Sequence, residues 1–219
     1  MSETVSESIF ERVCDRRGVL YRKLATRENQ RTPDYLILPS GEKVVVEVKQ
    51  IEPNDEDREL RKKSKKGETT GWWSDNNTRI RRKIKQCAKQ LKAVAKGRCP
   101  SVLMLYDDRE IKIIGNEDFL EAMYGDEELT LAVPLDGGEP EPLGVGFGGN
   151  RQLTEQQRRY ISAVAIMRQK FPGEWVVVMF HNVFASRPLD PDVASSFADV
   201  QYDLTKPKTK EWQNWTRIR

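Results

Sequence analysis

The chain has 219 residues, 37% of them hydrophobic and 32% charged, enough apolar side chains for one buried core beneath a highly charged surface. No stretch is long and apolar enough to span a membrane, and the opening Met1–Glu7 is polar and acidic rather than a secretory signal, so a cytoplasmic location and no membrane partner are expected. A net charge of +3, three cysteines (Cys14, Cys87, Cys99) without metal spacing and the single His181 exclude a His–Cys zinc site or a two-histidine nuclease motif, and leave reduced thiols.

In chain order, Ser6 to Gly18 reads as a helix. Ile9, Phe10, Val13 and Cys14 fall at helical spacing, and Gly18 is a stop. Glu7 borders the apolar stripe and Glu11 points further away. Tyr35–Leu38 is an apolar run, Pro39–Glu42 has turn composition, and Lys43–Lys49 is a valine-rich return strand, which together predict a β-hairpin. Side chains alternate along a strand, so Glu47 and Lys49 face the same side. Asp34, after Pro33, sits at the mouth of the partner strand. Two carboxylates and one ammonium therefore converge at a sheet edge. That set suits a hard divalent cation, which takes oxygen ligands beside water and substrate phosphate. The carbonyl of Val48 offers a further protein oxygen.

Pro33-Asp34 followed by Glu47-Val48-Lys49 resembles the PD-(D/E)XK nuclease superfamily, the restriction-endonuclease-like fold. The resemblance spans roughly residues 5–107 and implies a core of helix, three strands, helix and strand. It implies a Mg²⁺- or Mn²⁺-dependent endonuclease acting on DNA and leaving a 5′-phosphate, in defence, restriction or repair. Asp34 and Glu47 would ligate the metal with the Val48 carbonyl and Glu7, Glu11 being the reserve for the helix position. Lys49 would position or activate the water and stabilise the transition state. A non-catalytic nucleic-acid-binding subunit, or a protein-interaction subunit, of the same fold is the competing reading.

Beyond the hairpin the charge distribution changes. Ile51–Asp57 is acidic and polar, and Arg58, Arg61, Lys62, Lys63, Lys65 and Lys66 follow, then Trp72 and Trp73. The stretch is expected to be a long basic loop beside the site that contacts phosphates, with a tryptophan stacking on an unpaired base or wedging into a duplex. Asn77–Lys96 predicts an amphipathic helix with Ile80, Ile84, Cys87 and Leu91 on its apolar face. Arg79, Lys83, Gln86 and Gln90 run along one border, and Arg79, Arg82 and Lys83 extend the basic surface. Gln86, four residues before Gln90, resembles a Gln-bearing motif of RecB-type members, and by that resemblance would orient Lys49 or a phosphate. The usual second residue there is Tyr.

Ser101–Tyr106 predicts a buried strand, Ile111–Ile114 a short one, Glu117–Tyr124 a helix and Leu129–Val133 a strand. Asp136–Asn150, rich in Gly and Pro, is expected to be an extended connection with turns. Thr154 with Gln157 suggests a helix start, continued by Ile161, Val164, Ala165 and Arg168. Trp175–Phe180 reads as a buried strand carrying a structural His181, and Ser196–Leu204 as an edge strand. Lys206–Arg219 is a basic tail with Trp212 and Trp215. No Gly-x-x-x-x-Gly-Lys-Ser/Thr phosphate loop occurs. An α/β fold with a central mixed sheet follows, as one domain, with a homodimer or partner subunit open.

Overall fold

In the computed structural model the described residues are 4–25, 32–68, 75–95, 98–109, 114–204 and 214–219. The expected strand over 111–114 falls mostly outside them, as do Trp72, Trp73 and Trp212.

The chain opens with α1 (Val5–Arg17), held by a capping box between Thr4 and Glu7 and ended by Gly18 in the left-handed conformation, φ 65°. Three strands follow, β1 (Leu20–Lys23), β2 (Tyr35–Leu38) and β3 (Val44–Ile51), all antiparallel neighbours. The turn between β2 and β3 is a single 3-10 turn at Pro39–Gly41. Next come α2 (Asp55–Lys65), α3 (Asn76–Ala95) and β4 (Ser101–Asp107). β4 lies parallel to β3, because two helices separate them and a parallel neighbour needs such a crossover. The helix α4 (Asn116–Tyr124) leads to β5 (Glu127–Ala132) and β6 (Glu141–Phe147), which pair only with each other. β7 (Ala163–Phe171), β8 (Glu174–His181), the short α5 (Pro191–Ala194), β9 (Val200–Asp203) and β10 (Thr216–Arg217) complete the chain. The main sheet has eight strands in the order β1-β2-β3-β4-β7-β8-β9-β10. It is mixed: β3, β4 and β7 run parallel, as do β8 and β9. The α/β class and the mixed central sheet are as expected.

Strand alternation divides the core into two layers. Tyr35, Val44, Val46, Val48, Met104 and Met179 pack with α1 and α5 on one face. Val45, Ile51, Leu103, Leu105, Ile166 and Phe180 pack with α3 and α4 on the other. Ile80, Ile84, Cys87 and Leu91 of α3 are fully buried there. Each such aliphatic side chain contributes about 1.5–3 kcal/mol by leaving water.

Several elements differ from expectation. The basic stretch after β3 is a helix, not a long loop: Asn54 and Asp57 form a capping box, acids fill the first turn of α2, and Lys62, Lys63 and Lys65 fill the last. No residue of α2 is buried, so apolar periodicity could not reveal it. The expected helix from Thr154 is absent. Thr154 does accept hydrogen bonds from the Gln156 and Gln157 amides, as a cap would, but the chain turns and enters β7. Ala163–Met167 are buried on both faces between β4 and β8, so they read as a continuous apolar run in which strand and helix periods cannot be told apart. The Gly/Pro-rich connection contains β6, whose Leu143-Gly-Val-Gly-Phe147 alternates in register with β5. β9 is not an edge strand, because β10 pairs beyond it. Trp215 of the tail packs on Tyr124 and Phe180 and donates its indole N–H to the Asn116 carbonyl.

Candidate active site

The β2–β3 ladder ends at Tyr35↔Val46, and one step further the register sets Asp34 beside Glu47. Here β2 leaves β3, turning at Pro33–Asp34. The Val48 amide loses its strand partner and donates instead to Asp34 Oδ2 at 2.8 Å. In an extended strand the C=O of a residue points to the same edge as its N–H. The Val48 carbonyl is therefore directed at the opening that Asp34 lines.

Glu47 and Lys49 project from β3 toward the α3 layer, flanked on β4 by Leu103 and Leu105. The Lys49 ammonium lies between the two acids, in an ion pair with Glu47 and 3.9 Å from Asp34 Oδ2. Glu47 is 0% exposed; the Lys49 ammonium and the Asp34 backbone amide approach it, but neither of its oxygens has a well-aligned hydrogen bond. Buried polar groups are normally fully satisfied, and a buried carboxylate with too few hydrogen bonds costs free energy.

The electrostatics follow from that geometry. Burial, then the charge of Asp34, raises the Glu47 carboxyl from its ordinary 4.5 to about 7, although Lys49 pulls the other way. Burial also raises Asp34 against the opposing pull of Lys49 and of the Val48 amide. Burial alone would lower the Lys49 ammonium, but Glu47 and Asp34 reverse this and leave it raised. Lys83 of α3 is lowered by burial, with Arg82 and Lys49 adding to the effect and Glu52 opposing it. The thiol of Cys87 is raised by burial and then by Glu47.

The structure thus gathers Asp34, Glu47, Val48 and Lys49 at one point. Glu7 lies near enough to disfavour charge on Asp34, but its Oε2 is held by Lys23 Nζ at 2.9 Å on the α1 side of the sheet. Glu11 accepts from the Tyr35 hydroxyl at 2.7 Å. Gln86 is exposed and makes no hydrogen bond to Lys49; the α3 residues that approach the β3 charges are Lys83, beside Lys49, and the neutral thiol of Cys87, beside Glu47. In the sequence Cys87 is indistinguishable from an ordinary member of the apolar stripe. Arg79 is buried and donates to Asp75 at 3.0 Å, to Asp57 at 2.8 Å and to the Glu52 carbonyl, so it ties α3 to α2 instead of facing solvent. Lys63, Lys65, Lys66 and Arg82 are exposed, as is Arg61. Arg58 and Lys62 are exposed too, each paired with an acid of α2, Asp55 and Glu59. His181 is buried and bonded to Gln201 at 2.8 Å, a structural pairing.

A divalent cation fits the donor set. Among the described residues no three carboxylate, imidazole or thiolate groups gather into a ready cage. Asp34, Glu47 and the Val48 carbonyl instead offer the few hard oxygens that Mg²⁺ takes while keeping several waters. The under-satisfied Glu47 carboxylate is the observation in favour: a cation would supply the counter-charge that Lys49 alone does not. Among the described residues no helix is long and apolar enough to cross a membrane. No family model, curated protein or solved structure matches the chain.

Proposed function

We propose that this protein is a divalent-metal-dependent nuclease that hydrolyses phosphodiester bonds, with DNA as its substrate. The observation that carries the reading is the buried Glu47 carboxylate, short of hydrogen bonds and paired on one side only, beside Asp34 and Lys49 where β2 parts from β3.

Asp34, Glu47 and the Val48 carbonyl would hold Mg²⁺ or Mn²⁺. When bound, the metal polarises the phosphoryl oxygen and lowers the pKa of a bound water. Asp34 is fixed for this task by the Val48 amide. Lys49, its ammonium kept charged by both acids, orients the attacking water and stabilises the negative charge that grows on the phosphoryl group. Lys83 adds a second positive charge on the α3 side, suited to a neighbouring phosphate. The exposed lysines of α2 supply sequence-independent affinity for the backbone. Asp57 and Arg79 hold α2 at the end of β3, next to the opening.

The test is cleavage of supercoiled plasmid and of single-stranded DNA with Mg²⁺, Mn²⁺ or EDTA, by the wild type and by Lys49→Ala and Glu47→Ala. Metal-dependent cutting lost in both variants is the expected result. Cutting that survives both substitutions overturns the reading, and no cutting by the wild type on either substrate favours a binding subunit.

A further inference from the structure

The β5–β6 ribbon has no place in the chemistry above. It stands apart from the main sheet, and a lone two-stranded ribbon is marginal in water without something to pack on. Its register puts Leu129 opposite Val145 and keeps Leu131 and Leu143 on the same face, with Thr130, Gly144 and Gly146 on the other. Only Phe147, at the base, is buried; Leu129 is 59% exposed, Leu131 46%, Leu143 69% and Val145 38%. Val133 and Leu135 extend this exposed apolar surface into the turn. Such a contiguous face marks an interaction site.

The ribbon is also uniformly acidic. Residues 125–149 contain Asp126, Glu127, Glu128, Asp136, Glu139 and Glu141, and no Lys or Arg. Its base is fixed. Asp126 pairs with Arg81 of α3, and Glu128 accepts from the Gly149 amide. Gly125 has φ 122°, and a Cβ there would meet the Gly148 carbonyl oxygen at 2.8 Å, so the strand's exit is set by tight backbone contact. The ribbon is a held arm with an apolar face and a negative edge.

The opposite chemistry lies across the sheet. Between α1 and the β7–β8 hairpin is a cleft of about 580 Å³. Val13 and Trp175 contribute its apolar wall, and Arg12, Arg16 and Arg17 its charge. Arg12 and Arg16, four residues apart on one helix face, are exposed and carry no ion pair among the described residues. Arg17 is paired with Asp199, and the cleft holds a single acid, Asp15. Phe171, 59% exposed at the hairpin turn, stands beside Gly173 of the cleft wall.

We propose that the β5–β6 ribbon of one copy docks into the Arg12/Arg16–Trp175 cleft of a second copy. Ribbon against ribbon would bring two sets of carboxylates together without counter-charge, which disfavours symmetric arm pairing. Ribbon against cleft matches the apolar face to Trp175 and Val13, and the acids along the ribbon, Glu127 at its base and Glu141 at its far end, to the positive charge of Arg12 and Arg16. Within one chain the ribbon rises from the α3–α4 layer and the cleft opens on the α1 layer, so the two lie on opposite sides of the sheet. The contact is heterologous, joining different surfaces of the two copies.

Sedimentation velocity of the full chain tests this with two charge-reversed variants, Glu127→Lys/Glu141→Lys in the ribbon and Arg12→Glu/Arg16→Glu in the cleft. All four residues are exposed, so both variants should fold, and circular dichroism checks it. The wild type should self-associate below about 100 µM in low salt and weaken at least about tenfold as salt rises and screens the pairing. Each variant alone should be monomeric, since the side chains proposed to pair then carry like charge. Their equimolar mixture should associate again, because the paired side chains at each ribbon–cleft contact are then of opposite charge. Leu129→Asp/Leu143→Asp should also be monomeric. A monomeric wild type, association that survives either reversal, or a mixture that stays monomeric would each overturn the proposal. None of these results bears on plasmid cleavage.

Discussion

Two clusters of charge sit toward the same end of the sheet, and they are built on opposite plans. Around α2, Arg79 is bonded to Asp57 and Asp75, and Arg109 grips Asp107 with two N–H groups at 2.8 and 2.9 Å while lying 3.9 Å from Asp57. No atom of that cluster is a buried group lacking a partner. At Asp34, Glu47 and Lys49, two acids share one ammonium, and Glu47 lacks good hydrogen bonds although it is fully buried. A satisfied cluster fixes architecture. An under-satisfied one is what the proposed cation site rests on, because a buried carboxylate with too few partners carries a cost that a bound cation would relieve.

The largest effect that would sharpen this contrast is on rate. Lys49→Ala should lower metal-dependent cleavage by about 10²–10³-fold while leaving the urea unfolding midpoint at pH 5 close to wild type, because Glu47, raised to about 7, is then protonated and needs no counter-charge. A variant that unfolds instead would place Lys49 with the structural cluster. The converse belongs to Arg79→Ala. Removing that guanidinium leaves Asp57 with only the Asn54 amide as hydrogen-bond donor and unties α3 from α2, and should cost about 1–3 kcal/mol in urea unfolding, a loss that a purely surface pair would not show.

Glu47→Gln probes the cost of burial itself. The folded-state pKa of Glu47 is raised from 4.5 to about 7, so the native state binds this proton more tightly than the unfolded chain. Stability is therefore highest below the ordinary carboxylate range and falls as pH rises toward 7. Glu47→Gln removes that fall and should be more stable than wild type at pH 8 by up to about 3 kcal/mol, with the gap closing near pH 4. Added Mg²⁺ should raise the wild-type melting temperature at pH 8 and leave that of Glu47→Gln unchanged. An unchanged wild-type melting temperature would remove the cation from the account.

The smallest effect is expected from the exposed face of α2. Lys63→Ala/Lys65→Ala/Lys66→Ala should leave unfolding unchanged, since all three side chains are exposed. It should reduce the salt slope of DNA binding by about one for each phosphate that is no longer neutralised. An unaltered slope would mean that the basic helix serves something other than nucleic acid.

Much of the centre is readable in the sequence because it rests on short-range rules. Strand alternation alone places Glu47 and Lys49 on one face, and the valine-rich return strand after a turn places Asp34 near them. The apolar period of α3 at Ile80, Ile84, Cys87 and Leu91 is readable for the same reason. What is not readable depends on neighbours distant in sequence. Ala163–Met167 could be helix or strand until β4 and β8 cover both its faces. The helix α2 has no buried side, so only its caps and its ion pairs hold it, and a basic run by itself does not announce a helix. Arg79 and Arg82 are three residues apart and look alike as letters, yet α2 reaches one and not the other.

By itself, the sequence determined the local geometry: the caps of α1, the hairpin at Pro39–Gly41, and the chemical identities of Asp34, Glu47 and Lys49. The tertiary structure decided which charges are quenched. The energy of a carboxylate or guanidinium is set by burial and by the partners within a few ångströms; burial always comes from elements far apart along the chain, and so do partners such as Asp57 for Arg79 and the Val48 amide for Asp34.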